Sequence, residues 1–318
     1  MSFESEMREL AAAARSSART VAVCESGAKD AALSAAADLL ASKTEEICEA
    51  NARDLQAGEK AGLSGAMLDR LRLGPARLAK TAGGVREVID LPDPVGTVLG
   101  ETTRPNGMRL SRVRVPIGTI LMIYESRPNV TVDSAALCLK AGNAVILRGG
   151  KEALNTNLAL AGVWKEALRG AGLPEAAVQV VPTVDRAALG ELLKLNDLID
   201  LVIPRGGEGL IRAVAEKSSI PVIKHYKGVC NLYVHPAADT EMALKLAVNA
   251  KTQRTGVCNA LETLLVDAEI AASFLPGCLK ELRSLGVELR GCERTREIDG
   301  EVLPAGEDDW AAEYLDMI

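Results

Sequence analysis

One thiol sits in a setting that chemistry can use. Cys258 lies in Gln253-Arg254-Thr255-Gly256-Val257-Cys258-Asn259-Ala260, at the end of a polar stretch between two apolar ones. Gly256 lets the backbone come close to a bound molecule, and the charge of Arg254 favours a thiolate. That combination suits nucleophilic attack on a carbonyl carbon. A free cysteine in a loop is more often a small buried hydrophobe, and the other six, at positions 24, 48, 138, 230, 278 and 292, are read that way. Cys138, inside an apolar helical stretch, reads as core.

Three further stretches end apolar, strand-like runs. Pro204-Arg205-Gly206-Gly207-Glu208-Gly209 also opens a helical pattern. Gly206, Gly207 and Gly209 would bring helix N-terminal amides close to a phosphate, which the helix dipole favours. A tight strand-to-helix turn without any ligand explains the same residues, and the strict G-x-G-x-x-G fingerprint is absent. In Leu147-Arg148-Gly149-Gly150-Lys151-Glu152, Arg148 and Lys151 suit an anion, or equally a solvated loop. Glu125-Ser126-Arg127-Pro128-Asn129 is the third, its turn fixed by Pro128.

The elements that must position these turns follow from periodicity. Apolar residues at helical spacing, as in 31–47 and 67–89, predict several helices in the first 90 residues. Runs 97–100 and 108–115 around Arg104-Pro105-Asn106-Gly107 predict a β-hairpin. Strands are then expected at 117–124, 144–147, 178–181, 198–203 and 222–223, alternating with helices at 132–140, 158–169, 186–195 and 209–216. That alternation implies βαβ units and a doubly wound parallel sheet, which binds ligands beyond the carboxyl ends of its strands. A second α/β region starts near Leu232, with a helix at 242–250 and a strand at 261–266. Residues 310–318 read as the approach to another strand.

Composition narrows the class. The chain has 318 residues, 48% hydrophobic, with a net charge of −6, enough for about two domains. The acidic balance and 3% aromatic content argue against nucleic-acid or anionic-membrane partners. Two histidines, an odd cysteine count and the lack of C-x-x-C argue against bound metal and against a disulfide framework. No apolar run reaches the ~20 residues that span a bilayer, and the acids Glu4, Glu6 and Glu9 do not suit a signal peptide. The expectation is a cytoplasmic protein.

From Pro116 to Val266 the order of motifs resembles the aldehyde dehydrogenase superfamily. Pro116-Ile117-Gly118 is similar to its Pro-x-Gly strand start, Ala141-Gly142-Asn143-Ala144-Val145-Ile146-Leu147 to its AGN strand, and Val257-Cys258-Asn259-Ala260 to its nucleophile loop. YESRPNVT (124–131), LKAGNAVILRGGKEA (139–153), DLVIPRGGEGLI (200–211) and TGVCNALETLLV (255–266) more closely resemble the γ-glutamyl phosphate reductase family. Four motifs in the same order are far more specific than any one alone. The fold implied is an aldehyde-dehydrogenase-like α/β architecture. It comprises N-terminal helices and a cofactor domain over 1–231, an oligomerisation hairpin near 97–115, and a catalytic domain over 232–318.

The resemblance makes Cys258 the nucleophile and its backbone N–H the oxyanion donor, with the Asn129 amide as a second candidate. It makes Glu313 the glutamate that binds the nicotinamide ribose. Oxidising relatives hydrolyse their thioester with a glutamate-activated water. The matching stretch here, His225-Tyr226-Lys227-Gly228, has no carboxylate, so phosphate is the expected acyl acceptor. NAD-preferring relatives carry a glutamate three residues beyond a strand-end lysine. Here Arg148 takes the lysine position and Lys151 the acid's, which by charge favours a ribose 2′-phosphate and hence NADPH. Gly206, Gly207 and Gly209 complete the expected cofactor set. By sign and position, Arg127, Lys224 and Arg254 are candidates for the substrate's phosphate and carboxylate.

The activity implied is NADPH-dependent reduction of L-glutamyl 5-phosphate to L-glutamate 5-semialdehyde, in proline biosynthesis. Homo-oligomers and the glutamate 5-kinase that makes the substrate are the implied partners. The rivals are an acyl-transferring relative that uses coenzyme A, and an inactive nucleotide-binding form. The family pattern continues past Ile318, so a truncated chain is also expected.

Overall fold

The computed structural model describes residues 3–224 and 227–318. The chain forms two compact units, Met1–Lys224 and His225–Ile318.

The first unit opens with α1 (Phe3–Val21), α2 (Ser26–Ser42), α3 (Thr44–Lys60), α4 (Gly65–Leu71) and α5 (Pro75–Asp90). Alanine carries much of α2, as its helix propensity allows. The 31–47 period breaks at Lys43, whose backbone is not helical (φ −98°, ψ 21°), so two helices replace one. The 67–89 period likewise breaks at Gly74, after which Pro75 at the first helical position starts α5. The hairpin follows as β1 (Val98–Thr103) and β2 (Arg109–Val113), antiparallel and exposed along both strands. Its turn closes with Arg104 N–H donating to the Met108 carbonyl at 2.8 Å, and Gly107 takes φ +83°.

The α/β part runs β3 (Thr119–Tyr124), α6 (Asn129–Lys140), β4 (Ala144–Arg148), α7 (Leu154–Gly170), β5 (Val178–Val180), α8 (Arg186–Leu192), β6 (Leu201–Arg205) and α9 (Glu208–Lys217). The four strands form a parallel sheet in the order β5-β4-β3-β6. The expected strand at 222–223 is reduced to a single bridge, Val202 with Val222. Helices cover both faces. Val145 and Leu147 pack under α2, α5, α6 and α7 with Trp164, while Leu121, Ile123, Ile146 and Val202 pack on α1, α8 and α9. The doubly wound parallel sheet is therefore as expected. Its chain steps outward from β3 to β5 and then crosses to β6, which puts the switch of direction beside β3.

The two glycine motifs of the sheet have a mechanical reason. Asn143 Oδ1 accepts from the N–H groups of Ile117 (2.7 Å) and Gly118 (2.9 Å), which ties the turn before β4 to the start of β3. Asp200 accepts from Thr119 N–H at 2.8 Å and from Arg15. Its carboxylate fills the space where a side chain on Gly118 would stand, and φ there is +123°.

The second unit contains β7 (Cys230–Val234), α10 (Thr240–Thr252), β8 (Leu261–Val266), α11 (Ala268–Ser284), β9 (Arg290–Gly291), α12 (Glu293–Ile298) and β10 (Leu303–Pro304). Parallel β7 and β8 are joined through α10, and Val234, Ala247, Leu261, Phe274 and Leu282 form the core beneath them. Asp239 and Asp267 cap α10 and α11 by accepting from backbone N–H groups, as helix N-termini require. Where an approach to another strand was expected, Glu307–Ala311 is a 3-10 helical turn and residues 312–318 form no strand. Among the described residues no helix is long and apolar enough to cross a membrane.

Candidate active site

In the first unit three strands deliver their turns to one edge. Register pairs Ile123 with Arg148 and Tyr124 with Arg205, so β3, β4 and β6 end level with one another. Tyr124 is buried, its hydroxyl 2.7 Å from Thr131 Oγ1, which in turn donates to Asn157 at 2.8 Å. Gly149 rests on this group: a Cβ there would lie 3.1 Å from the Tyr124 ring and closer still to the Asn157 amide. Close packing at Gly149 is a third feature of this turn, beside the anion site and the solvated loop that its residues suggest.

The turn after β6 is occupied by the protein's own acid. Glu125 Oε2 accepts from Gly207 N–H at 3.2 Å, at the entry to α9. A Cβ on Gly206 would stand 2.7 Å from the Glu125 carboxyl carbon, whereas Gly209 has nothing within 4 Å. Of these three glycines only Gly206 is closely approached, and by the movable end of the Glu125 side chain.

At the end of β4, Arg148 donates to the Gly149 carbonyl (2.6 Å) and the Val184 carbonyl (2.9 Å), while its Nε is buried without a partner among the described residues. Burial pulls its pKa below the usual arginine range; nearby Glu152 opposes that shift and the like charge of Arg186 adds to it. Lys151 is exposed beside it. Arg186 is therefore near enough to act on Arg148, with Lys151 three residues further along the chain, and nothing in the sequence pointed to Arg186. Asn129 begins α6, and its side-chain nitrogen donates to Asp133 at 2.9 Å, one helical turn on. Arg127 and Lys224 are exposed, the first in the turn after β3 and the second at the end of the unit.

In the second unit Cys258 is exposed, in the loop that joins α10 to β8. The loop is tight: Val257 N–H donates to Thr255 (2.9 Å) and Ala260 N–H to Val257 (3.1 Å). A buried ion pair clamps its two ends. Lys251, in the last turn of α10, donates to the Leu261 carbonyl at 2.8 Å and to Glu262 at 3.2 Å, with both side chains at most 5% exposed. The second oxygen of Glu262 accepts from Leu315 N–H at 3.2 Å. Glu313 is thereby brought in: a Cβ on Gly228 would lie 3.6 Å from Glu313 Oε1, 3.7 Å from Cys258 Cβ and 2.9 Å from the Cys258 carbonyl oxygen. Gly228 leaves no room for a side chain because the Cys258 carbonyl oxygen stands where it would go, with the Glu313 carboxylate at ordinary contact distance. Arg254 is exposed, four residues before Cys258. His225 and Tyr226 lie outside the described residues.

The aldehyde dehydrogenase family matches residues 2–296. A γ-glutamyl phosphate reductase of Syntrophomonas wolfei is 51% identical over 317 residues, covering 100% of this chain and 76% of that protein. The chain belongs to the aldehyde dehydrogenase family, among its γ-glutamyl phosphate reductases. A γ-glutamyl phosphate reductase of Xanthomonas oryzae is 54% identical over 312 residues, covering 98% of this chain and 75% of its own. The crystal structure of a γ-glutamyl phosphate reductase from Thermotoga maritima matches with a TM-score of 0.92 at 44% identity, over 98% of this chain and 75% of that one.

Within this family the sequence motifs led directly to Cys258 and the strand-end turns. They did not lead to Lys251, Glu262 or Gly228. For Lys251 a signal existed. It continues the buried stripe Ala243, Ala247 at four-residue spacing, a place where a lysine requires a partner. No group of three or more metal-ligating side chains occurs among the described residues.

Proposed function

We propose that Cys258 is the covalent nucleophile in the NADPH-dependent reduction of L-glutamyl 5-phosphate to L-glutamate 5-semialdehyde and phosphate, a step of proline biosynthesis. The observation that carries this reading is an exposed thiol in a loop clamped by a buried ion pair and flanked by Gly228 and Glu313.

The Cys258 thiolate attacks the acyl carbon, and the negative charge that develops on the carbonyl oxygen is met by the Cys258 backbone N–H. The carbon–oxygen bond to phosphate breaks, leaving a thioester on Cys258. Arg127, Lys224 and Arg254 supply positive charge for the phosphate and the α-carboxylate. Asn129 would have to leave Asp133 to serve the oxyanion as well.

The first unit suits a dinucleotide: level strand ends at the switch beside β3, a turn at Gly206 that Glu125 approaches closely, and Arg148 with Arg186 near the end of β4, Lys151 following three residues on. Gly206, Gly207 and Gly209 would face its phosphates, with Glu125 displaced from Gly207. Arg148 and Lys151 would pair with a 2′-phosphate, and Glu313 would hold the nicotinamide ribose. When bound, the cofactor supplies the hydride that reduces the acyl carbon. Cys258 then leaves as the aldehyde forms. Lys227 and Gly228 bring no carboxylate to activate water, so the acyl group is kept for reduction or for return to phosphate. The exposed apolar side chains of the hairpin, Val98, Leu99, Met108 and Leu110, suit self-association into a homo-oligomer. The glutamate 5-kinase that makes an unstable acyl phosphate is the partner such chemistry favours, in the cytoplasm.

Cys258→Ala should lower turnover by roughly 10⁴-fold or more while NADPH binding persists in a fluorescence titration. Retained turnover would refute the assignment. In the oxidative direction phosphate, not coenzyme A, should be the acceptor that sustains NADPH formation.

A further inference from the structure

We infer that Cys230 is a resolving thiol for Cys258, so that a hydroperoxide converts the two into a reversible disulfide. The inference rests on the reading of Cys258 as a reactive thiolate. Cys230 Sγ donates to the Cys258 carbonyl oxygen at 3.4 Å. Two things create that contact. Cys230 begins β7 and pairs with Leu261 at the start of β8, three residues beyond Cys258. Gly228, two residues before Cys230, already lies against Cys258, with its Cβ position 3.7 Å from that of the cysteine. Cys258 is exposed and Cys230 half-buried, so an oxidant in solution meets Cys258 first. The Cys230 sulfur thus already lies against the Cys258 peptide, and a disulfide requires Cα atoms ~4.4–6.8 Å apart.

The remaining thiols are poor alternatives. Burial raises the pKa of Cys24, Cys48, Cys138 and Cys278, the last two to about 12 and about 11. Cys292 is the exception: it is exposed, and its hydrogen bond with Thr295 lowers its pKa, so it is the one competing site for oxidant.

The chemistry balances with a hydroperoxide as the two-electron oxidant. The Cys258 thiolate attacks one peroxide oxygen, the O–O bond breaks and hydroxide or alkoxide leaves, giving a sulfenic acid. The Cys230 thiolate attacks that sulfur, an S–S bond forms, the S–O bond breaks and the departing hydroxide takes a proton to leave as water. A dithiol returns both thiols by exchange. Formation of the disulfide keeps Cys258 from reaching the sulfinic acid, which dithiols do not reverse.

The test uses the 318-residue chain with Cys292→Ser. Iodoacetamide labelling of the reduced protein first reports the reactivity of Cys258. A slight excess of hydrogen peroxide, alkylation, and peptide mass spectrometry without reduction should then show a Cys230–Cys258 linked peptide that dithiothreitol removes. Cys230→Ser retains a donor for the Cys258 carbonyl. In that background Cys258 should label as before, yet peroxide should drive it to a sulfinic acid that dithiothreitol does not restore. A labelled Cys258 with no linked peptide, or equal recovery by dithiothreitol in Cys230→Ser, would overturn the resolving role and leave the nucleophile assignment standing. A Cys258 that iodoacetamide does not label would overturn both.

Discussion

The Gly149 turn and the Cys258 loop are held in opposite ways. Gly149 sits on neutral, close-packed groups, the Tyr124 ring and the Asn157 amide, with Thr131 bridging them by hydrogen bonds. Its shape is set by exclusion, because there is no space for a side chain. The Cys258 loop has space: a Cβ on Gly256 would meet nothing within 4 Å. Its shape is set at its ends, by the Lys251–Glu262 charge pair buried beneath it. Packing suits a turn whose backbone must stay in one place. Clamped ends suit a loop whose thiol, as the proposed nucleophile, would change its bonding twice per turnover.

Breaking the clamp should be the largest effect on stability. Lys251→Met leaves Glu262 as an uncompensated buried charge and should cost about 3–5 kcal/mol in urea unfolding. Adding Glu262→Gln to that variant should recover part of the loss, and an additive loss would show that the two side chains act independently. Gly149→Ala comes next, at about 1–3 kcal/mol for overpacking, whereas Gly256→Ala should stay within about 0.5 kcal/mol. Equal costs at the two glycines would dissolve the contrast. Lys151→Glu sharpens it from the ligand side: the ratio of kcat/KM for NADPH over NADH should fall by about ten-fold, and an unchanged ratio would refute the charge argument.

The smallest effect concerns pH in the second unit. Asp309 accepts from Tyr314, Gly306 N–H and Arg290, which together hold its pKa at about 2. A depressed carboxylate stabilises the fold above its unfolded pKa of about 4, and that contribution is lost as pH falls toward 2. Asp309→Asn should flatten acid unfolding across that window, followed by circular dichroism.

Much of this was legible in residue order because the relevant physics is local. Alternating strands and helices betray a doubly wound sheet, and Asn106-Gly107 marks the hairpin turn. Local signals were also misread: Gly74-Pro75 is a helix start, yet the apolar period ran across it. What could not be read joins residues far apart. Glu125 reaches Gly207 across 82 positions, and Asp200 holds Arg15 across 185. Cys230 resembled any small buried hydrophobe until β7 and β8 paired. Charge sign alone gathered Arg148 with Lys151, while Arg186 joined them only once the sheet had formed.

The bond from Leu315 to Glu262 has a consequence for synthesis. It spans 53 positions, and Cys258 lies ahead of both partners. A ribosome therefore exposes Cys258 well before it delivers the segment that lines Glu313 up beside Gly228. During that interval the loop has its thiol but an unfinished wall. The order of translation thus leaves the Cys258 thiol open to electrophiles before its wall is complete, a window that the proposed resolving thiol at Cys230, already made by then, would cover.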